Sequence, residues 1–409
     1  MNSFPCALVA IFGCCGILVA QQPAGPRTAP PADLSETVSG SNAFAVDLYV
    51  QLRSQPGNLF FSPESISTAF AMAYAGARGQ TATEVAHVFH YSLPPGKLHP
   101  AMGALLAAMN AQHTGYELHV ADALWAQQDE NFLASYLSLV QSSYGAGLHK
   151  VNFKSSPETV RATINKWTEQ QTNDRIQNLL APGTLTPATR LVLTNAVYFK
   201  GDWLDQFDKK ATETGDFHIS STQAVQTPLM HHTGSGYRYS NGGAFQVLEM
   251  PYKGNDLSMV VLLPNETGGL AALEHSFSSA ALSGWLGKLQ PADKVILTLP
   301  RFKMTQQFEL SRTLAAMGMP LAFSSSADFS AMTGKPEFTI SAAIHKAFVD
   351  VNETGTEAAA ATATVMLEMA RQAEPPPIVF RADHPFLFLI RDTKSGSILF
   401  LGRVTDPTR

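Results

Sequence analysis

Five apolar runs of strand length in the second half of the chain constrain its fold more than any other feature. They cover residues 191–199, 257–263, 295–299, 386–390 and 398–401. Most of them lack the strict polar–apolar alternation of a half-exposed strand. We therefore expect these strands to be covered on both faces, by helices or by a second sheet.

Helix patterns dominate the first half. An amphipathic helix is predicted after the candidate caps Ser39 and Ser41, because apolar residues recur there at helical spacing. Ser62-Pro63 predicts a helix start, with the serine accepting backbone N–H bonds and proline in the first turn. The Thr81 to Glu84 spacing is that of a capping box. The first helix should bury Phe44, Leu48, Tyr49 and Leu52, and further helices are expected around 102–109, 132–140 and 160–167. Together these elements predict a mixed α+β protein with large sheets.

Composition excludes two classes of protein. The chain has 409 residues, of which 45% are hydrophobic and 15% charged, so it can bury a sizeable core and is not disordered throughout. Its 28 basic and 33 acidic residues give a net charge of -5. Because binding to a phosphate backbone requires a basic surface, nucleic acid is not expected as a partner.

The N-terminus has the pattern of an exported protein. Residues 1–20 are interpreted as a signal peptide, because an almost unbroken apolar stretch from Pro5 ends at Ala20. A secreted, periplasmic or extracellular protein is expected, and the alternative is a form lipid-anchored at Cys14. Residues 21–39 contain four prolines and are predicted to be a disordered tether. The three cysteines are Cys6, Cys14 and Cys15, so the processed chain would have no disulfide and no cysteine catalysis.

Common enzyme and cofactor motifs are absent from the sequence. It contains no G-x-S-x-G, H-E-x-x-H, G-x-x-x-x-G-K or G-x-G-x-x-G pattern, and no cofactor is predicted. The pair His231-His232 is interpreted as an exposed loop pair rather than a metal site, since no carboxylate partner is evident. Asn265 and Asn352 begin glycosylation sequons.

One long segment has an unusual composition. After Gly355 the chain reads TEAAAATATVMLEMAR before the prolines at 375–377. An alanine-rich linker would explain the composition. The alternation of the segment, however, fits a strand: alternate residues from Thr356 onward form a small, uncharged face, while Glu357 lies on the other. Gly355 would tolerate the backbone change of a hinge. The segment therefore has the properties of a strand that could be added to a sheet.

The sequence resembles the serpin family over residues 40–409. Matching motifs occur in order along the chain: NLFFSPESIS at 58–67, TNAVYFKGDW at 194–203, HKA at 345–347, ETGTEA at 353–358, PF at 385–386 and FLGRV at 400–404. The resemblance implies a single serpin domain with a large, mainly antiparallel sheet, two further sheets and about eight or nine helices. Residues 353–380 would be its reactive-centre loop.

The resemblance also implies a mechanism. In inhibitory serpins a protease cleaves the loop, and the loop then inserts as a central strand of the largest sheet while the acylated protease is carried along and distorted. Such a protein is a suicide substrate and not an enzyme, and its partner is a serine protease in a covalent complex. Non-inhibitory carrier, storage or chaperone-like serpins are the alternative, although their hinges often contain bulky or charged residues. The hinge residues here are Glu353, Gly355, Thr356, Ala358, Ala359, Ala360, Ala361 and Thr362.

The reactive bond follows from a count. Inhibitory serpins usually have seventeen residues from the hinge glutamate to the residue before the cleaved bond, and 369 − 353 + 1 = 17. We therefore predict cleavage between Met369 and Ala370, which suits elastase-like or chymotrypsin-like proteases. Arg371 and Leu367 remain alternatives.

Two contacts follow from the resemblance. A polar cluster of Ser62, Ser65, Asn195 and His345 is expected beneath the sheet that opens, as a hydrogen-bonded link between strands rather than the catalytic group of a hydrolase. Arg301 and Glu353 should form an exposed ion pair at the loop base.

Three properties of the whole protein complete the expectations. Around residues 101–109 the fixed positive charge is Lys97 alone, so no heparin dependence is expected. A monomer is expected. A glycan on Asn352 would crowd the hinge, so we expect either that this site is unmodified or that the host does not glycosylate, and the second alternative would fit a bacterial source.

Overall fold

The computed structural model describes residues 32–145, 147–336, 338–355 and 376–409. These ranges contain ten α-helices, where eight or nine were expected, and two short 3-10 helices at Lys209–Ala211 and Pro320–Phe323. The helices are α1 (Ala32–Leu52), α2 (Pro63–Gly76), α3 (Gly79–Val88), α4 (Pro95–Met109), α5 (Ala134–Tyr144), α6 (Pro157–Gln171), α7 (Leu270–Ser276), α8 (Ser279–Gly287), α9 (Ser311–Met317) and α10 (Ser330–Thr333). No helix among them is long and apolar enough to span a bilayer.

Sixteen strands lie in the same ranges. They are β1 (Leu59–Phe61), β2 (Tyr116–Gln127), β3 (Leu148–Val151), β4 (Leu191–Gly201), β5 (Glu213–His218), β6 (Ala224–Gly234), β7 (Tyr237–Asn241), β8 (Phe245–Pro251), β9 (Leu257–Pro264), β10 (Gln290–Ala292), β11 (Val295–Pro300), β12 (Phe302–Glu309), β13 (Ile340–Val351), β14 (Ile378–Arg381), β15 (Phe386–Asp392) and β16 (Ile398–Val404). All five apolar runs are strands, as predicted.

The strands form three sheets. The largest has seven strands in the order β1-β16-β15-β9-β8-β7-β10, and all of its pairs are antiparallel. A four-stranded sheet has the order β14-β11-β6-β5, and a five-stranded sheet has the order β12-β13-β4-β2-β3. The α+β class, the large antiparallel sheet and the two further sheets are confirmed.

The core lies between the five-stranded and seven-stranded sheets. Phe400 of β16 stacks on Phe60 of β1 with 5.0 Å between ring centroids, and it meets Phe199 of β4 at 5.6 Å. Helix α2 packs on both sheets and is buried along almost its whole length. The opposite face of the five-stranded sheet is covered by apolar side chains from α6 and the segment after it, including Ile164 and Leu179. Four of the five apolar strands, β4, β9, β15 and β16, are buried on both faces over their apolar runs, as their lack of alternation predicted, whereas Ile296 of β11 is exposed.

Helix α1 begins earlier than the sequence suggested. The predicted tether, 21–39, is wrong for residues 32–39, because the helix starts at Ala32. Thr37 and Val38 are buried there, and Asp33 forms an ion pair with Lys97 of α4 at 3.0 Å. The rest of the tether, the signal peptide and Cys14 lie outside the described residues.

The predicted helix caps do not form, although the helices do. Ser39 and Ser41 lie inside α1, and neither Ser62 nor Thr81 caps its helix. The Ser62 hydroxyl donates to the carbonyl of Leu399 at 2.7 Å instead of capping α2. Helix α3 begins at Gly79, before the expected capping box. The Thr81 hydroxyl instead accepts from the N–H of Asp328, and the Glu84 carboxylate accepts from the N–H of Leu321. The side chains that were expected to cap their own helices instead form hydrogen bonds with residues distant in sequence.

Candidate functional site

Strands β13 and β4 are parallel neighbours in the middle of the five-stranded sheet. Their pairing extends from Ile340 beside Leu191 to Phe348 beside Tyr198. A strand that turned back after β13 and ran between the two would be antiparallel to both, and antiparallel neighbours need only a short turn. The chain leaves β13 directly into residues 356–375. The segment expected to insert therefore adjoins the five-stranded sheet, and not the sheet with the most strands.

A tight turn ends β13. Asn352 and Gly355 are paired, with the Gly355 N–H donating to the Asn352 carbonyl at 3.1 Å. Gly355 has φ +106°, a conformation that side chains disfavour. A Cβ there would also collide with the carbonyl oxygen of Gly201, at the end of β4. Only glycine fits this turn, which lies directly over the end of β4.

The segment after β4 holds the turn in place through hydrogen bonds. The backbone N–H of Trp203 donates to the Thr354 carbonyl at 3.0 Å, and the N–H of Phe207 donates to the Glu353 carbonyl at 2.9 Å. The indole N–H of Trp203 donates to the Asn352 carbonyl at 3.0 Å. The base of the predicted loop is therefore attached to the strand beside the insertion position before any cleavage.

Glu353 is buried beneath this turn, where the sequence predicted an exposed ion pair. Its side chain is 3% exposed, while that of its partner Arg301 is 46% exposed. Its Oε1 accepts from Arg301 and from the Thr212 hydroxyl at 2.7 Å. Burial alone would raise the pKa of Glu353, but these hydrogen bonds outweigh burial and lower its pKa below the ordinary value. The predicted ion pair between Arg301 and Glu353 is present, and the carboxylate of Glu353 is desolvated.

Replacing Arg301 with methionine should destabilise the protein at neutral pH by about 1–2 kcal/mol, because a buried carboxylate loses its cation. The pKa of Glu353 is lowered in the folded state, so its stabilising contribution is present above the unfolded pKa of about 4.3 and disappears as pH falls through the folded pKa. Urea unfolding at pH 7 and pH 3.5 measures the difference.

The matched control is Arg381→Met, which removes the cation from the Asp383 pair outside the turn. We expect a change below about 0.5 kcal/mol for it. An Arg301→Met effect of the same size at both pH values would contradict a role for the ionised Glu353 pair.

The predicted polar cluster is assembled between β4, β13 and α2. His345 of β13 lies opposite Asn195 of β4, and its Nδ1 bonds Asn195 Oδ1. The Ser62 N–H donates to His345 Nε2 at 3.1 Å, and Asn195 Nδ2 donates to Ser65 Oγ. A strand entering between β4 and β13 must separate His345 from Asn195.

One member of the polar cluster was missed from the sequence. Asp122 of β2 accepts from Asn195 Nδ2 and from the Ser65 hydroxyl at 3.3 Å, and its Oδ2 is buried without a hydrogen-bond partner. A single carboxylate inside the apolar run 120–126 was the available signal, since aspartate is rarely buried without a reason.

The hydrogen bonds that link the Ser62 N–H, His345 and Asn195 form a chain that ends at the carboxylate of Asp122. Because His345 Nε2 accepts a backbone N–H, the neutral ring must carry its proton on Nδ1 and donate to Asn195. Burial lowers the pKa of His345 to about 3 and so keeps it neutral. Burial also raises the pKa of Asp122 to about 7, against the lowering effect of the bonds from Asn195 and Ser65.

Replacing Asp122 with asparagine should change the pH dependence of stability. With a folded pKa of about 7 and an unfolded value of about 3.9, the folded state binds more protons at Asp122 between these values. Asp122 therefore makes the free energy of unfolding fall as pH rises from about 4 to 7, by at most about 1.4 kcal/mol per pH unit, while His345, whose pKa is lowered to about 3, acts in the opposite direction up to about pH 6.5. The amide oxygen of the introduced asparagine could still accept both hydrogen bonds. We expect the slope of unfolding free energy against pH, measured by urea titrations, to become more positive than in the wild type by up to about 1.4 kcal/mol per pH unit.

Asp129→Asn, on the exposed segment after β2, is the control and should leave the slope unchanged. An unaltered slope in Asp122→Asn would show that this carboxyl is already ionised at low pH.

The polar cluster is not arranged for nucleophilic catalysis. Its four predicted side chains are at most 1% exposed. His345 contacts the backbone N–H of Ser62, while the hydroxyl of Ser62 donates to a carbonyl. A hydrolase would need a serine hydroxyl on the histidine and access for substrate. The geometry supports a link between strands.

His231 and His232 lie on β6 and not in a loop, so their predicted location is wrong. His232 Nε2 pairs with the carboxylate of Asp205 at 3.0 Å, a partner that was not evident from the sequence, and His231 Nδ1 bonds the Thr298 hydroxyl at 3.1 Å. Within the described ranges, no three His, Cys, Asp or Glu side chains are grouped as metal ligands.

The predicted reactive bond, its two alternatives and most of the hinge lie outside the described residues. These residues are Thr356, Ala358, Ala359, Ala360, Ala361, Thr362, Leu367, Met369, Ala370 and Arg371.

This fold, with a parallel strand pair at the centre of one sheet and a buried polar cluster beneath it, matches a known family. The family model "Serpin (serine protease inhibitor)" covers residues 39–407. The chain belongs to the serpin family.

Individual relatives support this assignment. The human leukocyte elastase inhibitor is 40% identical over 384 residues, which cover 91% of this chain and all of that protein. Among solved structures, Serpin48 of Tenebrio molitor has a TM-score of 0.81 and 32% identity, covering 92% of this chain and 100% of the other. Human thyroxine-binding globulin, solved with thyroxine, has a TM-score of 0.82 and 31% identity over 92% of this chain and 100% of its own.

Proposed function

We propose that the protein is a suicide-substrate inhibitor of serine proteases with elastase-like or chymotrypsin-like specificity, and not an enzyme. The observation that carries the proposal is the parallel pairing of β4 and β13, with the turn at 352–355 leading directly into residues 356–375. The protease serine attacks the carbonyl carbon of Met369, an acyl ester forms, and the amine of Ala370 leaves. The freed segment then enters between β4 and β13.

The polar cluster and the turn support a controlled opening. Asn195 and His345 hold the two strands together, and Glu353 holds the loop base until cleavage. An inserted strand would add on the order of a dozen ladder hydrogen bonds at about 1 kcal/mol net each. That sum is comparable to the roughly 5–15 kcal/mol that stabilises a typical domain. Ordering the segment costs a similar amount, so burial of its small side chains must contribute as well.

A carrier function is the second candidate, favoured by the structural likeness to thyroxine-binding globulin. The composition of the hinge favours the inhibitor, because the alternate residues from Thr356 to Thr364 are small and uncharged and can be buried in a sheet.

The test is incubation with elastase, chymotrypsin and trypsin, followed by denaturing electrophoresis and sequencing of the released peptide. We expect a detergent-resistant complex with elastase or chymotrypsin and a peptide that begins at Ala370. A start at Glu368 or Gln372 would instead assign the bond to Leu367 or Arg371. Cleavage by all three proteases without any covalent complex would refute the inhibitory function and leave the carrier function as the remaining candidate.

A further inference from the structure

The base of the predicted loop is attached to one short segment that follows β4, residues 203–207, called here the anchoring segment. Two of its backbone N–H groups, those of Trp203 and Phe207, donate to the carbonyls of Thr354 and Glu353. The attachment of the loop base is therefore only as firm as the position of the anchoring segment itself.

His232 of β6 contacts the anchoring segment from the four-stranded sheet. Its Nε2 pairs with Asp205 Oδ2 at 3.0 Å, and its ring lies edge-on to the ring of Phe207 with 5.8 Å between the centroids. The side chain of His232 is 16% exposed and that of Asp205 is 54% exposed. One side chain therefore contacts two residues of the anchoring segment, and Phe207, one of the two, donates directly to the loop base.

Gly234, two residues further along β6, leaves room for the pair of His232 and Asp205. A Cβ on Gly234 would collide with His232 Nε2 and would lie 2.9 Å from Asp205 Oδ2. Any side chain at this position would displace the imidazole or the carboxylate. The pair therefore depends on a third residue of the same strand.

The four-stranded sheet is also attached to the other end of the loop. Strand β14 is the first strand after the loop, and it pairs with β11, which in turn pairs with β6. Because His232 lies on β6, its bond with Asp205 connects the base of the loop to the sheet that holds the opposite end of the loop.

The pair of His232 and Asp205 responds to pH through the imidazole. Histidine side chains change their charge between about pH 5 and 8, and protonation makes a bond to a carboxylate charge-assisted. Among the described residues, the other titratable side chain in contact with His232 is Tyr237 of β7, at 6.1 Å between ring centroids. Burial, and after it the charge of Asp205, raises the pKa of Tyr237, so this phenol stays neutral in that range.

We propose that His232 is a positioning residue for the reactive-centre loop. Through Asp205 it ties the four-stranded sheet to the anchoring segment and keeps the turn at 352–355 attached, more firmly when the imidazole is protonated. The role of this tie in holding a reactive loop rests on the proposed function, whereas the tie itself is measured without a protease.

The test is hydrogen–deuterium exchange of the full chain at about pH 5.5 and 8, the two ends of the histidine range, with correction for the intrinsic pH dependence of exchange. At the lower pH the amides of Trp203 and Phe207 should exchange about threefold faster in Asp205→Asn than in the wild type, the modest factor of a partly exposed ion pair. At the higher pH the two proteins should differ by less than about twofold. Burial raises the pKa of Asp122 to about 7, but this carboxyl is present in both proteins and cancels in the comparison.

A second variant and a matched control localise the effect. Gly234→Ala keeps both members of the pair but forces them apart, so it should exchange as Asp205→Asn does. Asp47→Asn removes the carboxylate from a pair of the same kind, in which His90 Nε2 lies 2.7 Å from Asp47 Oδ2 between α1 and the segment after α3, and it should exchange as the wild type does. Equal exchange of the wild type and Asp205→Asn at the lower pH, full protection in Gly234→Ala, or lost protection in Asp47→Asn would overturn the proposal.

Covalent complexes with elastase or chymotrypsin test the proposed function separately. Faster exchange in Asp205→Asn without a complex in any of these proteins would refute the inhibitory function and leave the tie intact. Complexes together with unchanged exchange would refute the tie alone.

Discussion

Replacing Thr356 with arginine is expected to convert the inhibitor into a substrate. Thr356 begins the small, uncharged face of the segment that would lie between β4 and β13. Burying an unpaired arginine there costs several kcal/mol, and each 1.4 kcal/mol changes a partition about tenfold. The stoichiometry of inhibition should therefore rise from about one to more than about ten molecules per protease, while the rate of loop cleavage stays within about twofold.

Thr356→Ser is the matched control, because serine is also small and uncharged, and it should inhibit like the wild type. The two variants are compared by titrating elastase or chymotrypsin to residual activity and by electrophoresis of the products. Persistent covalent complexes with Thr356→Arg would rule out strand insertion as the trapping step.

Cleavage of the loop without a trapped protease should raise the melting temperature by more than about 10 °C. The cleaved segment can pair with both β4 and β13 and exchange one parallel ladder for two antiparallel ladders. A gain of several kcal/mol shifts the melting temperature of a large domain by a few degrees per kcal/mol. Differential scanning calorimetry before and after cleavage by a protease that does not form a complex measures this shift.

The cleaved Thr356→Arg protein provides the control, since its segment cannot enter the sheet, and we expect its melting temperature to stay within about 3 °C of the uncleaved form. An unchanged melting temperature in the cleaved wild type would mean that the native sheet has no strained state to release.

Local sequence patterns were sufficient to predict a helix or strand where its structure depends mainly on its own residues. The five apolar runs predicted strands covered on both faces, because burial of both faces removes alternation from the sequence itself. Ser62-Pro63 located the start of α2, since the proline conformation is compatible with the first turn of a helix. The ordered motifs predicted the family, the three sheets and four members of the polar cluster, but not Asp122.

Interactions between distant residues were not encoded in any local pattern. Thr81 and Glu84 have the spacing of a capping box but bond residues 247 and 237 positions away. Glu353 looked like an exposed acid and is buried beneath its own turn. Asp122 joined the polar cluster because β2 pairs with β4, where it lies opposite Asn195.

The sequence by itself determined that the five apolar runs are strands, the family to which the chain belongs, and the small uncharged face after Gly355. Only the tertiary structure decided that the loop segment follows a strand of the five-stranded sheet and that the carboxylates of Glu353 and Asp122 are desolvated. The physical reason is that periodicity and backbone preference act over a few residues, whereas burial and the pKa of a carboxyl depend on which distant elements surround it.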